Sequence, residues 1–173
     1  LESNIAQITD LYHVTKETAR ALRVDDLFTL SLEILPRLLD LRGLRLIDLT
    51  GPEGPVLLRA QRAADGRLLK EPTSALVPIE QAILQVVSRS SFAATATSVT
   101  LSCQWPAGLA RIGWTPLWGE EQPVGVLIAD ELPPDQLGTL SIVANQLSLQ
   151  LARIRFYQAV ESMAITDTLT GLF

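Results

Sequence analysis

The run Arg111-Ile112-Gly113-Trp114-Thr115-Pro116-Leu117-Trp118, then Gly119-Glu120-Glu121, then Gln122-Pro123-Val124-Gly125-Val126-Leu127-Ile128-Ala129-Asp130 decides how this chain is read. Two segments rich in β-branched, aromatic and aliphatic residues flank a short turn of glycine and acids, which predicts an antiparallel hairpin. Trp114 and Trp118 share strand parity, so both are expected on one face of the sheet. Gly125 stands where a strand packed on both sides must admit a neighbouring backbone. Val126, Leu127 and Ile128 supply side chains to both faces, the mark of a buried strand.

Downstream of the hairpin, Pro133-Pro134 predicts the start of a long helix running to about Ala164. Leu137, Leu140, Ala144, Leu147, Leu151 and Ile154 alternate three- and four-residue steps along it, and Phe156, Tyr157, Val160 and Met163 broaden the stripe. A helix of ~30 residues is longer than one domain needs. Its register suits a helix that packs on its own domain and then pairs with a second copy through Leu147, Leu151 and Ile154.

Upstream, strands are expected over 44–49 and 56–62 and a loop over 63–77. Pro78 predicts a helix whose buried stripe is Ile79, Ala82, Ile83, Val86 and Val87. A short strand is expected around Phe92–Ala94, with loop after it. Before the first strand, a helix should open at Asp25-Asp26 and be kinked or shortened by Pro36 to about Leu35. Ile5, Ile8, Tyr12, Thr15, Ala19 and Leu22 make an imperfect coiled-coil seam in an N-terminal helix, with Ile5, Ile8 and Tyr12 the candidate dimer contacts there.

Bulk properties narrow the function classes. The chain has 173 residues, net charge −5 and 47% apolar residues, a globular composition with scattered basic residues and no basic run. Nucleic-acid binding is not expected. No apolar run approaches the ~18 residues of a spanning helix, so no membrane contact is expected. One cysteine, Cys103, and one histidine, His13, leave no disulfide, zinc cluster or Ser/His/Asp constellation to assemble, so neither a metal, a cofactor nor enzymatic activity is expected. A reducing cytoplasm fits this inventory. The sole methionine is Met163, and both ends are expected to be cuts in a longer protein.

Residues Ile112–Ala129 resemble the final hairpin of GAF domains, in which a Pro-Leu strand turns through Gly and acidic residues into a Gly-Val-Leu strand. With helix–strand–strand–helix before it and a long helix after it, the resemblance covers about residues 26–152. Asp167-Thr168-Leu169-Thr170-Gly171-Leu172-Phe173 is similar to the Asp-x-Leu-Thr-Gly-Leu opening of GGDEF (diguanylate cyclase) domains. The resemblances imply an α+β fold: a six-stranded antiparallel sheet with the terminal helices on one face and a small-molecule pocket on the other, walled by residues from about 59 to 118. They divide the chain into an N-terminal linker or coiled-coil helix (1–25), a GAF-like sensor domain (26–152), a signalling helix (153–166) and the start of a GGDEF domain (167–173). The metal- and nucleotide-binding residues of a cyclase do not fall within the chain. The implied function is a sensing and dimerisation module controlling a GGDEF output in cyclic di-GMP signalling, through a homodimer and an unidentified small ligand. The alternative is a non-sensing structural spacer.

Five residues are candidates for the pocket. Trp105 and Trp114 offer flat contact area and one N–H each, and packing under a helix is the competing role. Arg111 enters the strand that carries Trp114, and a pocket arginine suits a carboxylate or phosphate. Arg45 and Arg59 also fall on strands, where pairing with Asp or Glu is the competing role. Cys103 stands where a tetrapyrrole anchor could sit, but Gln104 replaces the histidine expected beside it, which favours an inert thiol. Phe92 completes the set. Asp130-Glu131 matches one element of the cyclic-nucleotide class, whose Asn-Lys and Phe elements are lacking.

Overall fold

The computed structural model describes Thr9, Tyr12 and residues 16–72 and 75–170, with side chains as far as 164. The helix-forming segments are α1 (Val24–Leu38), α2 (Pro78–Arg89) and α3 (Leu137–Thr170), the last preceded by a 3₁₀ turn, Pro134–Gln136. The strands are β1 (Gly43–Asp48), β2 (Val56–Arg62), β3 (Leu68–Glu71), β4 (Ala94–Thr97), β5 (Arg111–Trp118) and β6 (Pro123–Asp130). They form one six-stranded antiparallel sheet in the order β3-β2-β1-β6-β5-β4. This is the α+β architecture expected from the sequence.

Strand alternation splits the apolar residues into two cores. On one face Leu44, Leu46, Leu117, Leu127 and Ala129 meet Leu27, Phe28 and Leu35 of α1 and Leu140, Val143, Leu147, Leu151 and Ile154 of α3. On the other face Ile47, Ile112, Trp114, Val126 and Ile128 meet Ile79, Ile83 and Val87 of α2. Fully burying a side chain of this kind contributes about 1.5–3 kcal/mol, so β1 and β6, loaded on both faces, anchor the sheet. Gly125 is packed tightly between these strands: a Cβ there would lie 2.6 Å from the Ile47 carbonyl oxygen.

Several expectations change in three dimensions. The 63–77 segment contains β3, whose only buried residue is Leu68. Its pattern is too weak to read locally, and pairing with β2 across the Asp65-Gly66 turn creates it. The short strand near Phe92 is β4, starting at Ala94, and pairs with β5. Pro36 does not end α1 at Leu35; it lies inside the helix, which closes at Leu38, so the i→i−4 bond its missing N–H removes falls within the last turn. A register shift between Leu117 and Trp118 turns Trp118 outward, so it does not share the interior with Trp114. Helix α3 runs past Ala164 to Thr170, through part of the segment that resembles a GGDEF opening.

The largest revision concerns α3. Leu147, Leu151 and Ile154, expected to meet a second copy, are buried in the chain's own core against α1 and the sheet. A different apolar stripe faces outward: Ile142, Leu149, Phe156 and Met163, spaced by seven residues, are 41%, 64%, 69% and 67% exposed. Of the expected N-terminal contacts, Tyr12 is helical and exposed, while Ile5 and Ile8 lie outside the described residues.

Candidate functional site

The face opposite the terminal helices carries a network of charges beside its apolar core. In the antiparallel register Arg45 of β1 lies directly opposite Arg59 of β2. Like charges so placed repel unless carboxylates reach between them. Glu80 does so from the first turn of α2. Its Oε2 accepts hydrogen bonds from Arg45 Nη1 (2.9 Å) and Arg59 Nε (2.7 Å), and its Oε1 from Arg59 Nη2 (2.5 Å) and the Val77 N–H (2.8 Å). Asp130, at the end of β6, takes the other side of Arg45 as a bidentate pair, Nε to Oδ1 at 3.0 Å and Nη2 to Oδ2 at 2.9 Å. Gln61 Nε2 donates to Asp130 Oδ2 at 3.2 Å, and Arg59 Nη2 also donates to the Ala75 carbonyl at 2.8 Å.

These groups are deeply placed: Glu80, Asp130 and Arg45 are 0%, 3% and 4% exposed. Burial alone would raise the Glu80 carboxyl, but hydrogen bonds from Arg59, the Val77 N–H and Arg45 overcome it and hold its pKa below the ordinary value. Burial would likewise lower the Arg45 guanidinium, and Asp130 and Glu80 more than reverse that, so its pKa is raised. Both shifts favour the charged forms of Glu80 and Arg45 at neutral pH.

Above the network lies a cavity of about 390 Å³, lined by Arg45, Arg59, Gln61, Glu71, Val77, Pro78, Gln104, Trp105 and Pro106. A smaller recess of about 220 Å³ adjoins it, sharing Arg45, Gln61 and Pro106 and reaching Arg42, Asp130 and Glu131. The loop that roofs both is pinned at two points. Trp105 Nε1 donates to the Leu101 carbonyl at 2.9 Å. Glu131, in a left-handed conformation at φ 57°, accepts a hydrogen bond from the Ala110 N–H. A non-glycine residue held there signals a backbone fixed by its surroundings.

Of the five pocket candidates, Trp105 lines the cavity. Trp114 is buried in the core beneath, and its indole N–H has no partner among the described residues. Cys103 packs against that core as a half-buried free thiol. Arg111 does not line the cavity. It shares parity with Gly113, where an added Cβ would meet Leu132 of the helix-side core. Phe92 lies outside the cavity and is 76% exposed. The residues that build the floor, Glu80 and Asp130 with Arg45 and Arg59, were only half visible in the sequence. The signal was two arginines on neighbouring strands, which require counter-ions, and a glutamate two residues after the helix-opening Pro78.

A second region couples the sheet to α3. Arg155 donates to the buried carboxylate of Asp48 and, at 2.8 Å, to Thr50 Oγ1. The backbone N–H of Thr50 holds the other Asp48 oxygen at 2.9 Å. Asp48 lies three residues beyond Arg45 on the same strand. A further apolar cavity of about 450 Å³ lies beside it at the α3 surface, between Leu22 and Ile154, Tyr157 and Val160. Among the described residues no helix is long and apolar enough to cross a membrane.

No family model matches this chain, and no curated relative matches it. Its fold is that of solved GAF domains. The chain is similar to the GAF domain of a phosphoenolpyruvate-protein phosphotransferase from Coxiella burnetii, with TM-score 0.64, 15% identity, and 88% of this chain and 96% of that chain covered. It is similar to the GAF domain of the potassium sensor histidine kinase KdpD from Escherichia coli, with TM-score 0.55, 19% identity and coverage of 88% and 98%. The phycoerythrobilin-bound GAF domain of a cyanobacterial phytochrome matches with TM-score 0.58, 13% identity and coverage of 88% and 97%.

Proposed function

We propose that this chain is a regulatory input module, binding a small molecule on the sheet face opposite its terminal helices and passing that state to an output domain. The observation that carries this reading is the cavity of about 390 Å³ with Arg59, Gln61, Gln104 and Trp105 converging on it. Its volume falls within the ~300–1,000 Å³ of small-molecule sites, and an apolar wall of Val77, Pro78, Trp105 and Pro106 faces polar side chains. Strand β1 offers the route outward: Arg45 touches the cavity, and Asp48 on the same strand grips Arg155 of α3. A ligand that favours one placement of β1 thereby biases the helix.

The output is proposed to be a GGDEF domain acting in cytoplasmic cyclic di-GMP signalling. Support comes from the Asp167–Phe173 heptapeptide at the end of a long helix. The chain is proposed to act as a homodimer and to have no catalytic role of its own. Support for the dimer is the outward stripe of α3, whose seven-residue period is that of a coiled-coil seam.

Native mass spectrometry of the purified chain, followed by a thermal-shift panel of metabolites, tests both parts. A dimer that retains a discrete extra mass, or is stabilised by one class of metabolite, is expected. A chain that takes up nothing across the panel overturns sensing and leaves the structural-spacer role.

A further inference from the structure

The charge arrangement of the cavity bears on which ligands it admits, an inference that rests on the sensing role proposed above. Around the two adjoining recesses Arg42, Arg45 and Arg59 face four carboxylates, Glu71, Glu80, Asp130 and Glu131. Arg45 and Arg59 are therefore already answered. Three donor atoms of Arg45 are spent on Glu80 and Asp130, and two of Arg59 on Glu80 and the Ala75 carbonyl. An incoming anion would have to displace Glu80 or sit beside it and Glu71, and like charges so close repel. A cation meets the opposite obstacle, because Arg45 and Arg59 form the floor. A fully apolar guest would strip water from charged groups and return no hydrogen bond.

What remains is an uncharged molecule with a flat apolar body and a hydrogen-bonding edge. Trp105, Pro78, Pro106 and Val77 supply apolar wall. Gln104 supplies an amide that makes no hydrogen bond within the described chain, and Gln61 supplies a second whose nitrogen already donates to Asp130. The Trp105 ring is held by its bond to Leu101, so ordering it on binding costs little. We propose that the cavity selects neutral planar ligands of the aromatic-amide or nucleobase type, and that Glu80 and Asp130 act as built-in counter-ions that exclude carboxylates and phosphates.

One ring in three charge states tests this. Nicotinamide, nicotinate and 1-methylnicotinamide are neutral, anionic and cationic versions of the same skeleton. Each is titrated into the ¹⁵N-labelled chain at neutral pH while the Trp105 indole and the Gln61 and Gln104 amide signals are followed. Nicotinamide is expected to shift these signals saturably and to bind about tenfold more tightly than either charged analogue. Glu80→Gln, which removes a counter-ion and frees arginine donors, is expected to improve nicotinate binding about tenfold. Glu71→Gln, at the exposed mouth and safe for the core, is expected to improve it about twofold. Nicotinate binding the unaltered chain as well as nicotinamide overturns the inference, as does an unchanged preference in a folded Glu80→Gln or Glu71→Gln variant. If none of the three shifts the cavity signals while the metabolite panel yields a ligand, the ligand class is wrong and sensing stands. If both fail, both fall.

Discussion

Replacing Glu80 by glutamine isolates the energetics of the site. The change is close to isosteric, and the amide oxygen can still accept the Val77 N–H, so helix α2 keeps its first-turn hydrogen bond. What is lost is a negative charge between two guanidiniums. Arg45, with its side chain 5% exposed, cannot recover water, whereas Arg59 at 13% can in part. Removing one partner of a buried pair costs about 3–5 kcal/mol. Because Arg45 keeps its bidentate bond to Asp130, we expect the lower end, about 3 kcal/mol. At this chain length that lowers the melting temperature by roughly 6–12 °C. Urea unfolding at neutral pH, followed by far-UV circular dichroism and tryptophan fluorescence, reads it directly. Lys70→Met, breaking the exposed pair with Asp25, serves as control and should cost less than about 0.5 kcal/mol. The pH dependence supplies a second check. The Glu80 carboxyl has its folded pKa below the ordinary 4.5, so its stabilisation is complete above that value and is lost as pH falls through the folded pKa. The gap between Glu80→Gln and the unaltered chain should therefore be constant near neutrality and close at acid pH. A loss under about 1 kcal/mol at pH 7, or a gap that persists unchanged into acid, refutes the assignment of Glu80 as the charged centre of the network.

Gly125→Ala forces a Cβ to 2.6 Å from the Ile47 oxygen and 3.1 Å from Leu117 Cδ1 and should destabilise the chain by about 2 kcal/mol in the same unfolding assay. Arg155→Ala leaves the buried Asp48 to its Thr50 partners alone; a cost of about 1–2 kcal/mol and faster hydrogen exchange in α3 beyond Ile154 are expected, and exchange unchanged there would remove the proposed link between β1 and the helix. Leu149→Glu and Phe156→Glu should shift the chain to monomer in sedimentation velocity while changing stability by no more than about 0.5 kcal/mol, whereas Leu147→Glu should unfold it. Assembly that survives both outward substitutions places the interface elsewhere.

The elements legible in the sequence are those whose pattern repeats within a few residues. The β5–β6 hairpin could be read because an apolar run, a Gly-acid turn and a second apolar run lie within twenty residues, 111–130, and Gly125 could be read because a packed strand leaves no room for a Cβ. The start of α2 followed from Pro78, which loses nothing at a helix's first turn. Strand β3 had no such signal. Its one buried side chain gains meaning only beside β2.

Helix α3 marks the boundary between the two kinds of information. Its sequence carries two interleaved apolar stripes, one through Leu140, Leu147, Leu151 and Ile154 and one through Ile142, Leu149, Phe156 and Met163. Periodicity reports both without ranking them. Docking on the sheet and α1 buries the first and leaves the second outside. The site lies beyond local pattern altogether. Arg45 meets Glu80 across 35 residues and Asp130 across 85, and a charge's partner depends on distance in space, which the strand order β2-β1-β6 and the packing of α2 on that sheet create. From the sequence came the sheet, its long helix and the presence of arginines on its strands. Only the tertiary structure, by bringing those charges within hydrogen-bond reach in a place that excludes water, decided that they neutralise one another and form the floor of a cavity.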